Sequence, residues 1–375
     1  MREKSRPQPR GRKEAAPSPH KQHSERSGQQ RRQGQGQHRR PGQAEEPRVH
    51  SGRAPQPIPL RTGRRKGEWY ELKLPDIYTA APATGVLKYL PLPPKLTGKL
   101  LAEHGVQKNG AMLKLRLFPK ERPGIEPDWA DMNVLFEDDF MLIVNKPVGL
   151  EVHPSSHGQK GTLANAVSAY YEMTGKPCKV RPVHRLDKDT TGPVIFAKNE
   201  LANLVLEKAM KEKKIERLYT AIAEGRIGGQ HGVINEPIGQ DRLHSTRRRV
   251  SETGEPAVTH YEVAERFRDH TLLRLRLETG RTHQIRVHLS HIGHPIAGDG
   301  MYGGTRKYIS RQALHGEKLI CFHPWTGEKI HVRAPLPDDM SEALEQLRSG
   351  NGGDGGRGRR QPGRSSSGND DSGAE

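Results

Sequence analysis

The stretch Val258–Glu278, VTHYEVAERFRDHTLLRLRLE, decides the class of fold. Two apolar-rich runs, Val258–Phe267 and Thr271–Glu278, flank the polar triplet Arg268-Asp269-His270. In the second run Leu273, Leu275 and Leu277 alternate with Arg274 and Arg276. A period of two belongs to a strand, and an apolar face opposite a charged one predicts an antiparallel hairpin with one side on a core and one in water.

Working outward, Val134–Glu137 and Phe140–Asn145 read as a second hairpin around the acidic turn Glu137-Asp138-Asp139, and Val194–Ala197 and Leu218–Ala223 as further short strands. Helices are expected after Thr162, with Leu163, Ala166, Val167, Tyr170 and Tyr171 at helical spacing and Gly175 beyond the end, and after Asn199, with Leu201, Leu204, Val205 and Ala209. A third carries Ile285, Leu289 and Ile292 on one face and stops at Gly293 and Pro295. Nearer the N-terminus, a helix over Leu96–His104 is stopped by Gly105 and followed by a basic strand, Met112–Phe118. Strands dominate without strict βαβ alternation, so the expected class is α+β, with a mixed, largely antiparallel sheet and flanking helices.

The chain has 375 residues and a formal net charge of +18, a balance typical of partners of nucleic acid or acidic membrane. Residues 1–66 hold 18 Lys/Arg against five Glu and no aromatic residue, so a disordered basic tail is expected there, able to hold phosphates without sequence choice. Residues 349–375, rich in Gly, Ser and Asp, are expected to be disordered too. Between them, residues 67–125 form a small module and 126–348 the main domain. The two cysteines, Cys178 and Cys321, exclude a disulfide scaffold and a zinc ribbon. No apolar run approaches the roughly 18 residues of a membrane span, and a cytoplasmic monomer is expected.

Two stretches carry candidate chemistry. His184–Gly192, HRLDKDTTG, leads into the strand Val194–Ala197, and a loop acid held by a rigid strand is a common catalytic placement. Taken alone, Asp187 or Asp189 reads more readily as a cap of the turn. The echo of the kinase catalytic loop fails, because Leu186 separates Arg185 from Asp187 and neither a glycine-rich nucleotide loop nor Asp-Phe-Gly is present. Thr279–His288, TGRTHQIRVH, opens a run of histidines at 283, 288, 291 and 294. Their spacings lack the i, i+4 pair with an intervening Glu, so surface and capping histidines are expected and no metal. Arg286 adjoins the apolar stripe of its helix, and a guanidinium buried there needs a carboxylate, for which Asp187 is a candidate. Tyr219, in RLYTA, is an aromatic on a strand beside Arg217. Arg247-Arg248-Arg249 forms a basic run expected on a surface loop.

Together these pieces resemble the RluA branch of the RNA pseudouridine synthases over roughly residues 133–340. They occur in the order IVNKP with Gly149, HRLD with Thr190 and Gly192, RLYTA, then TGRTHQIRVHLSHIGHPIAGD followed by Tyr302-Gly303. The last block is long and specific. Thr191 stands where many members carry Ser, which keeps the hydroxyl. The resemblance implies that Asp187 is the catalytic aspartate, that Arg286 pairs with it, and that Tyr219 packs on the target base and assists proton removal. It implies that Arg185 occupies the space vacated by an extruded nucleotide. His184, Arg281 and Arg247–Arg249 are further expected RNA contacts. Residues 67–125 lie where many relatives carry a small RNA-binding module, matched here in degenerate form by KLTGKLLAEHGVQKNG.

The implied reaction breaks the N1–C1′ bond of uridine, turns the base and rejoins it through C5. It calls for no cofactor and no metal. It needs one ionised carboxylate in a water-poor pocket, acting at C1′, at C6 or through a glycal, and an arginine that opposes the upward pull of burial on its pKa. The expected substrate is a uridine flipped out of structured ribosomal or transfer RNA. The alternative is a non-catalytic RNA-binding or assembly factor on the same fold, against which the complete trio Asp187, Tyr219 and Arg286 argues.

Overall fold

The computed structural model describes residues 57–351. In chain order the strands are β1 (Arg64–Lys66), β2 (Trp69–Lys73), β3 (Val106–Asn109), β4 (Met112–Leu115), β5 (Asn133–Glu137), β6 (Met141–Lys146), β7 (Gly192–Ala197), β8 (Glu216–Glu224), β9 (His231–Asn235), β10 (Ile238–Gln240), β11 (Arg248–Val250), β12 (Val258–Arg266), β13 (His270–Leu277), β14 (Leu314–Phe322) and β15 (Lys329–Arg333). The helices are α1 (Ala83–Leu87), α2 (Pro94–Ala102), α3 (Leu163–Met173), α4 (Glu200–Lys211), α5 (Gln284–His291) and α6 (Asp338–Asn351). The class is α+β. The pairings between these strands are antiparallel, and parallel contact is confined to isolated bridges such as Thr191 with His315.

The hairpin that set the class is β12–β13, and it lies inside a six-stranded sheet of order β15-β14-β8-β13-β12-β9. Leu273 and Leu275 are buried while Arg274 and Arg276 are exposed, as the alternation requires. The three-stranded sheet β5-β6-β7 behaves differently, because β6 and β7 are buried on both faces. Leu142, Val144, Val194 and Phe196 enter one core with Leu163 and Val167 of α3. Met141, Ile143, Ile195 and Ala197 enter another, shared with Leu201 and Leu206 of α4 and Leu72 and Leu113 of the N-terminal sheet β1-β2-β4-β3. An aromatic cluster of Tyr70, Phe118, Phe140 and Trp325 ties that N-terminal sheet to the rest, with ring centroids 5.2–6.4 Å apart.

The helix starts follow the expected chemistry. Thr162 and Asn165 form a reciprocal capping box on α3, and the Asn199 side chain accepts from the Ala202 amide at the start of α4. Gly175 takes a positive φ beyond α3.

Three expectations need correction. A tail running through residues 1–66 is too long: Leu60 packs on the core, its carbonyl accepts from Tyr70 Oη and Trp325 Nε1, and Arg64–Lys66 pair with β2. The expected disorder of residues 1–56 and 352–375 lies outside the described residues. Arg247–Arg249 is only partly a loop: Arg248 and Arg249 belong to β11, paired with β10, and Arg247 precedes the strand. His288 is not a surface group: it is fully buried, with Nδ1 2.8 Å from Thr259 Oγ1 and Nε2 3.0 Å from the Glu236 carbonyl. No helix among the described residues is long and apolar enough to cross a membrane.

Candidate active site

The loop that carries Asp187 is clamped by two buried cations acting on its backbone. Lys146, at the end of β6, has no exposed surface and donates to the carbonyls of Pro147, Leu150 and Lys188 at 2.7–2.9 Å. Burial pushes its pKa down to about 7 against the pull of Asp189 and Asp187. Arg311, itself forked onto Asp339, donates to the Asp189 carbonyl at 3.0 Å. The Thr190 amide closes a turn on the Asp187 carbonyl at 3.1 Å. The loop then enters β7 at Gly192, where φ is +129° and a Cβ would stand 2.5 Å from the Gly316 carbonyl oxygen. Only glycine fits where the two sheets meet this closely. Asp187 is thus presented between clamped backbone on one side and a sheet junction on the other.

Arg286 approaches from α5. Its Nε and Nη2 make a fork onto Asp299 at 2.7 and 2.9 Å, and its Nη1 donates to Asp187 Oδ2 at 3.2 Å. Arg286 and Asp299 are 6% and 2% exposed, while the Asp187 side chain keeps 18%. Burial works against the guanidinium charge, but Asp299 first and Asp187 second outweigh it, so the pKa of Arg286 rises. Tyr302 lies against the Arg286 guanidinium at 4.9 Å from ring centroid to Cζ, and Arg247 lies 5.4 Å from the same ring. The Tyr302 hydroxyl accepts from the Arg248 amide at 2.9 Å and stands 2.8 Å from His283 Nδ1. His283 precedes α5 with φ +58°, a left-handed backbone that costs a non-glycine residue energy and is often found at functional sites. Gln284 holds this turn to β12, donating to the Val258 carbonyl and Thr259 Oγ1.

Asp187, Tyr219, Arg286, Arg281, His283 and Arg185 line one cavity of about 530 Å³, counted to its open mouth. Tyr219 is 5% exposed; burial raises its phenol pKa, while the neighbouring guanidinium of Arg217 opposes the rise. Arg185 is exposed at the rim, and Arg281 pairs with Glu255 and donates to the Pro256 carbonyl. His184 does not line the cavity: its Nε2 accepts from the Ile195 amide of β7, and burial takes its pKa down to about 3. Arg247 and Arg248 meet the site through Tyr302 rather than through the cavity wall, and Arg249 is exposed on β11. Asp299 is the group that sequence reasoning passed over. It ends the quoted block TGRTHQIRVHLSHIGHPIAGD, and the demand of a buried arginine for acidic partners was the signal that could have found it.

The family profile described as RNA pseudouridylate synthase matches residues 140–291, which carry Lys146, Asp187, Tyr219 and Arg286. The chain is 47% identical over 248 residues to the Bacillus subtilis (strain 168) protein named Uncharacterized RNA pseudouridine synthase YhcT, covering 66% of this chain and 82% of that one. The chain belongs to the RNA pseudouridine synthase family. It is 42% identical over 254 residues to the ribosomal large subunit pseudouridine synthase D of Haemophilus ducreyi (strain 35000HP / ATCC 700724), covering 64% and 78% of the two chains. Among solved structures, it aligns with human RNA pseudouridylate synthase domain containing 4 at a TM-score of 0.48 and 24% identity, over 58% of this chain and 93% of that one. Members of this family of RNA pseudouridine synthases, the RluA branch included, are isomerases, and so is this chain.

Proposed function

We propose that this isomerase converts a flipped-out uridine of structured ribosomal RNA to pseudouridine, with Asp187 as its nucleophile. The observation that carries the reading is the Asp187 carboxylate, held 3.2 Å from an arginine that Asp299 has already fixed, at the wall of a cavity shared with Tyr219. Arg286 sets a fixed positive charge beside the Asp187 carboxylate, on the side away from Asp299. Tyr219 offers a ring for the uracil to stack on and a phenol to help remove the C5 proton. The N1–C1′ bond breaks, the base turns within the cavity, C5 takes its place on C1′, and the proton lost from C5 is matched by one gained at N1. Arg185 at the rim fills the gap left in the RNA stack.

Ribosomal RNA is preferred over transfer RNA because the Haemophilus ducreyi relative is named for the ribosomal large subunit. Backbone phosphates are held by Arg247–Arg249 on the β10–β11 hairpin and by exposed Arg64, Lys66 and Lys73 on the N-terminal sheet, which supply affinity rather than base choice. Residues 67–125 then act as the RNA-binding module and 126–348 as the catalytic domain. The test is to map pseudouridines in total RNA from cells with and without the gene, and to add back Asp187→Ala. A site lost on deletion must return with the wild-type protein and not with the variant, which still binds the RNA. Restoration by Asp187→Ala removes the nucleophile assignment, and an unchanged map removes the substrate assignment.

A further inference from the structure

Arg217 is the cavity arginine that is partly withdrawn from water without a carboxylate partner among the described residues. Arg286 pairs with Asp187 and Asp299, and Arg281 with Glu255, while Arg185 is exposed to water. Arg217 is half-buried on β8, two residues before Tyr219, so both side chains leave the same face of the strand. Its Nε is shut off from solvent and makes no hydrogen bond. Its guanidinium meets the Tyr219 phenol on one side and reaches Gly280 on the other, where a Cβ would stand 3.2 Å from both Nη atoms. Gly280 therefore leaves the room that the arginine fork occupies.

A guanidinium N–H shut off from water with no partner, as at Nε, is costly until an acceptor arrives. The position of the cation says which acceptor. Arg185 and the partly exposed Arg281 stand nearer solvent, where the RNA backbone passes. Arg217, with its Nε shut off from solvent, lies beside the ring on which the base would stack, where it would meet the edge of that base. Uracil presents two carbonyl oxygens there, whereas cytosine replaces O4 with an amino donor that repels another donor.

We propose that Arg217 is a specificity-determining residue that donates to the O4 carbonyl oxygen of the flipped uracil, with Gly280 kept small to admit its fork. This inference rests on the reading of the cavity as a uridine site. Full-length protein is assayed for pseudouridine formation on total RNA from cells lacking the gene, over a range of RNA concentrations. Arg217→Met is expected to lose about 10- to 100-fold in kcat/KM, the range set by one hydrogen bond from a charged donor, with its melting temperature kept. Arg217→Lys recovers part of the loss because it restores a donor without the fork, and Gly280→Ala shows a smaller loss by displacing the fork. Wild-type turnover in Arg217→Met overturns the proposal, and so does a loss of turnover that follows a loss of folding and is not eased by Arg217→Lys. A second measurement uses a synthetic RNA of the mapped site with 2-thiouridine or 4-thiouridine at the target. The 4-thio substitution, a poor acceptor, slows the wild type more than the 2-thio one and adds nothing to Arg217→Met; an effect confined to the 2-thio RNA, or equal thio effects in both proteins, sinks the assignment. If the wild type itself forms no pseudouridine, the uridine-site reading fails. If it does and Arg217→Met matches it, only the role of Arg217 fails.

Discussion

Arg286 divides its donors unequally, and the division separates folding from chemistry. Two of its nitrogens are committed to buried Asp299 and one to part-exposed Asp187. Asp187→Ala leaves the guanidinium with its fork intact, so the variant is expected to fold with a melting temperature near that of the wild type while losing pseudouridine formation. Asp299→Ala leaves a buried cation with only the weaker partner, and breaking a buried pair costs about 3–5 kcal/mol. It is expected to lower the urea midpoint markedly and to lower kcat as well, because the arginine no longer has a fixed position from which to hold Asp187. Equal urea midpoints for Asp187→Ala and Asp299→Ala would show that Asp299 does not anchor the arginine. Arg286→Met strands both carboxylates and should be the least stable of the three. The Asp187–Arg286 pair was legible through the family resemblance; the demand of a buried arginine for an acid made Asp187 a candidate and no more. Asp299 was not, because the thirteen residues from Arg286 to Asp299 leave the helix, and no periodicity reports where a chain returns.

Local chemistry was legible where it is local. Thr162 and Asn199 cap their helices through contacts within three residues, and the β12–β13 alternation needed only its own register. The β10–β11 hairpin was missed because three-residue strands are too short to alternate, and Arg248 and Arg249 gain their order from Ile238–Gln240. α5 misled for the opposite reason. Its residues from Gln284 to Leu289 are all buried, so its polar groups are satisfied by β12 and the Glu236 carbonyl instead of water. The buried histidines carry a pH consequence. Burial lowers the pKa of His184 to about 3 and moves those of His288 and His315 down as well. The unfolded chain therefore binds protons that the folded chain refuses, and stability present above the ordinary histidine pKa of about 6.5 is lost as pH falls toward the folded values. Urea midpoints at pH 7.5 and pH 5 should differ for the wild type and differ less for His184→Gln, which removes the titrating ring. On the hairpin, replacing Arg249 by Ala should weaken RNA binding and reduce the salt slope by about one phosphate's worth while kcat at saturating RNA holds. A fall in kcat with unchanged affinity would take that arginine out of the backbone-binding role.

At the scale of the whole chain, class and order of elements were legible because each sheet announces itself in strands. The limits of the folded part were not. Leu60 lies in a stretch whose composition reads as tail, and only its hydrogen bonds with Tyr70 and Trp325, the latter 265 residues away, bring it into the core. The correction matters for how the basic tail is tested. Removing residues 1–66 would take away β1 and the Leu60 anchor, and any fall in RNA binding would then be confounded with damage to the N-terminal sheet. Removing residues 1–56 spares both and still deletes 14 Lys/Arg and five Glu. If the tail holds RNA through counterion release, each phosphate that it neutralises adds about 0.7 to 0.9 to the slope of log K against log salt, and truncation removes that share. The truncated protein is expected to bind more weakly at low salt, to show a shallower slope, and to keep its kcat at saturating RNA, since Asp187, Tyr219 and Arg286 all lie in the retained part. Fluorescence anisotropy of labelled RNA between about 50 and 300 mM salt, where counterion release dominates the affinity, supplies the slopes. Superimposable slopes for the two proteins would leave the binding charge entirely on the folded surface, with the β10–β11 hairpin and the N-terminal sheet as its carriers.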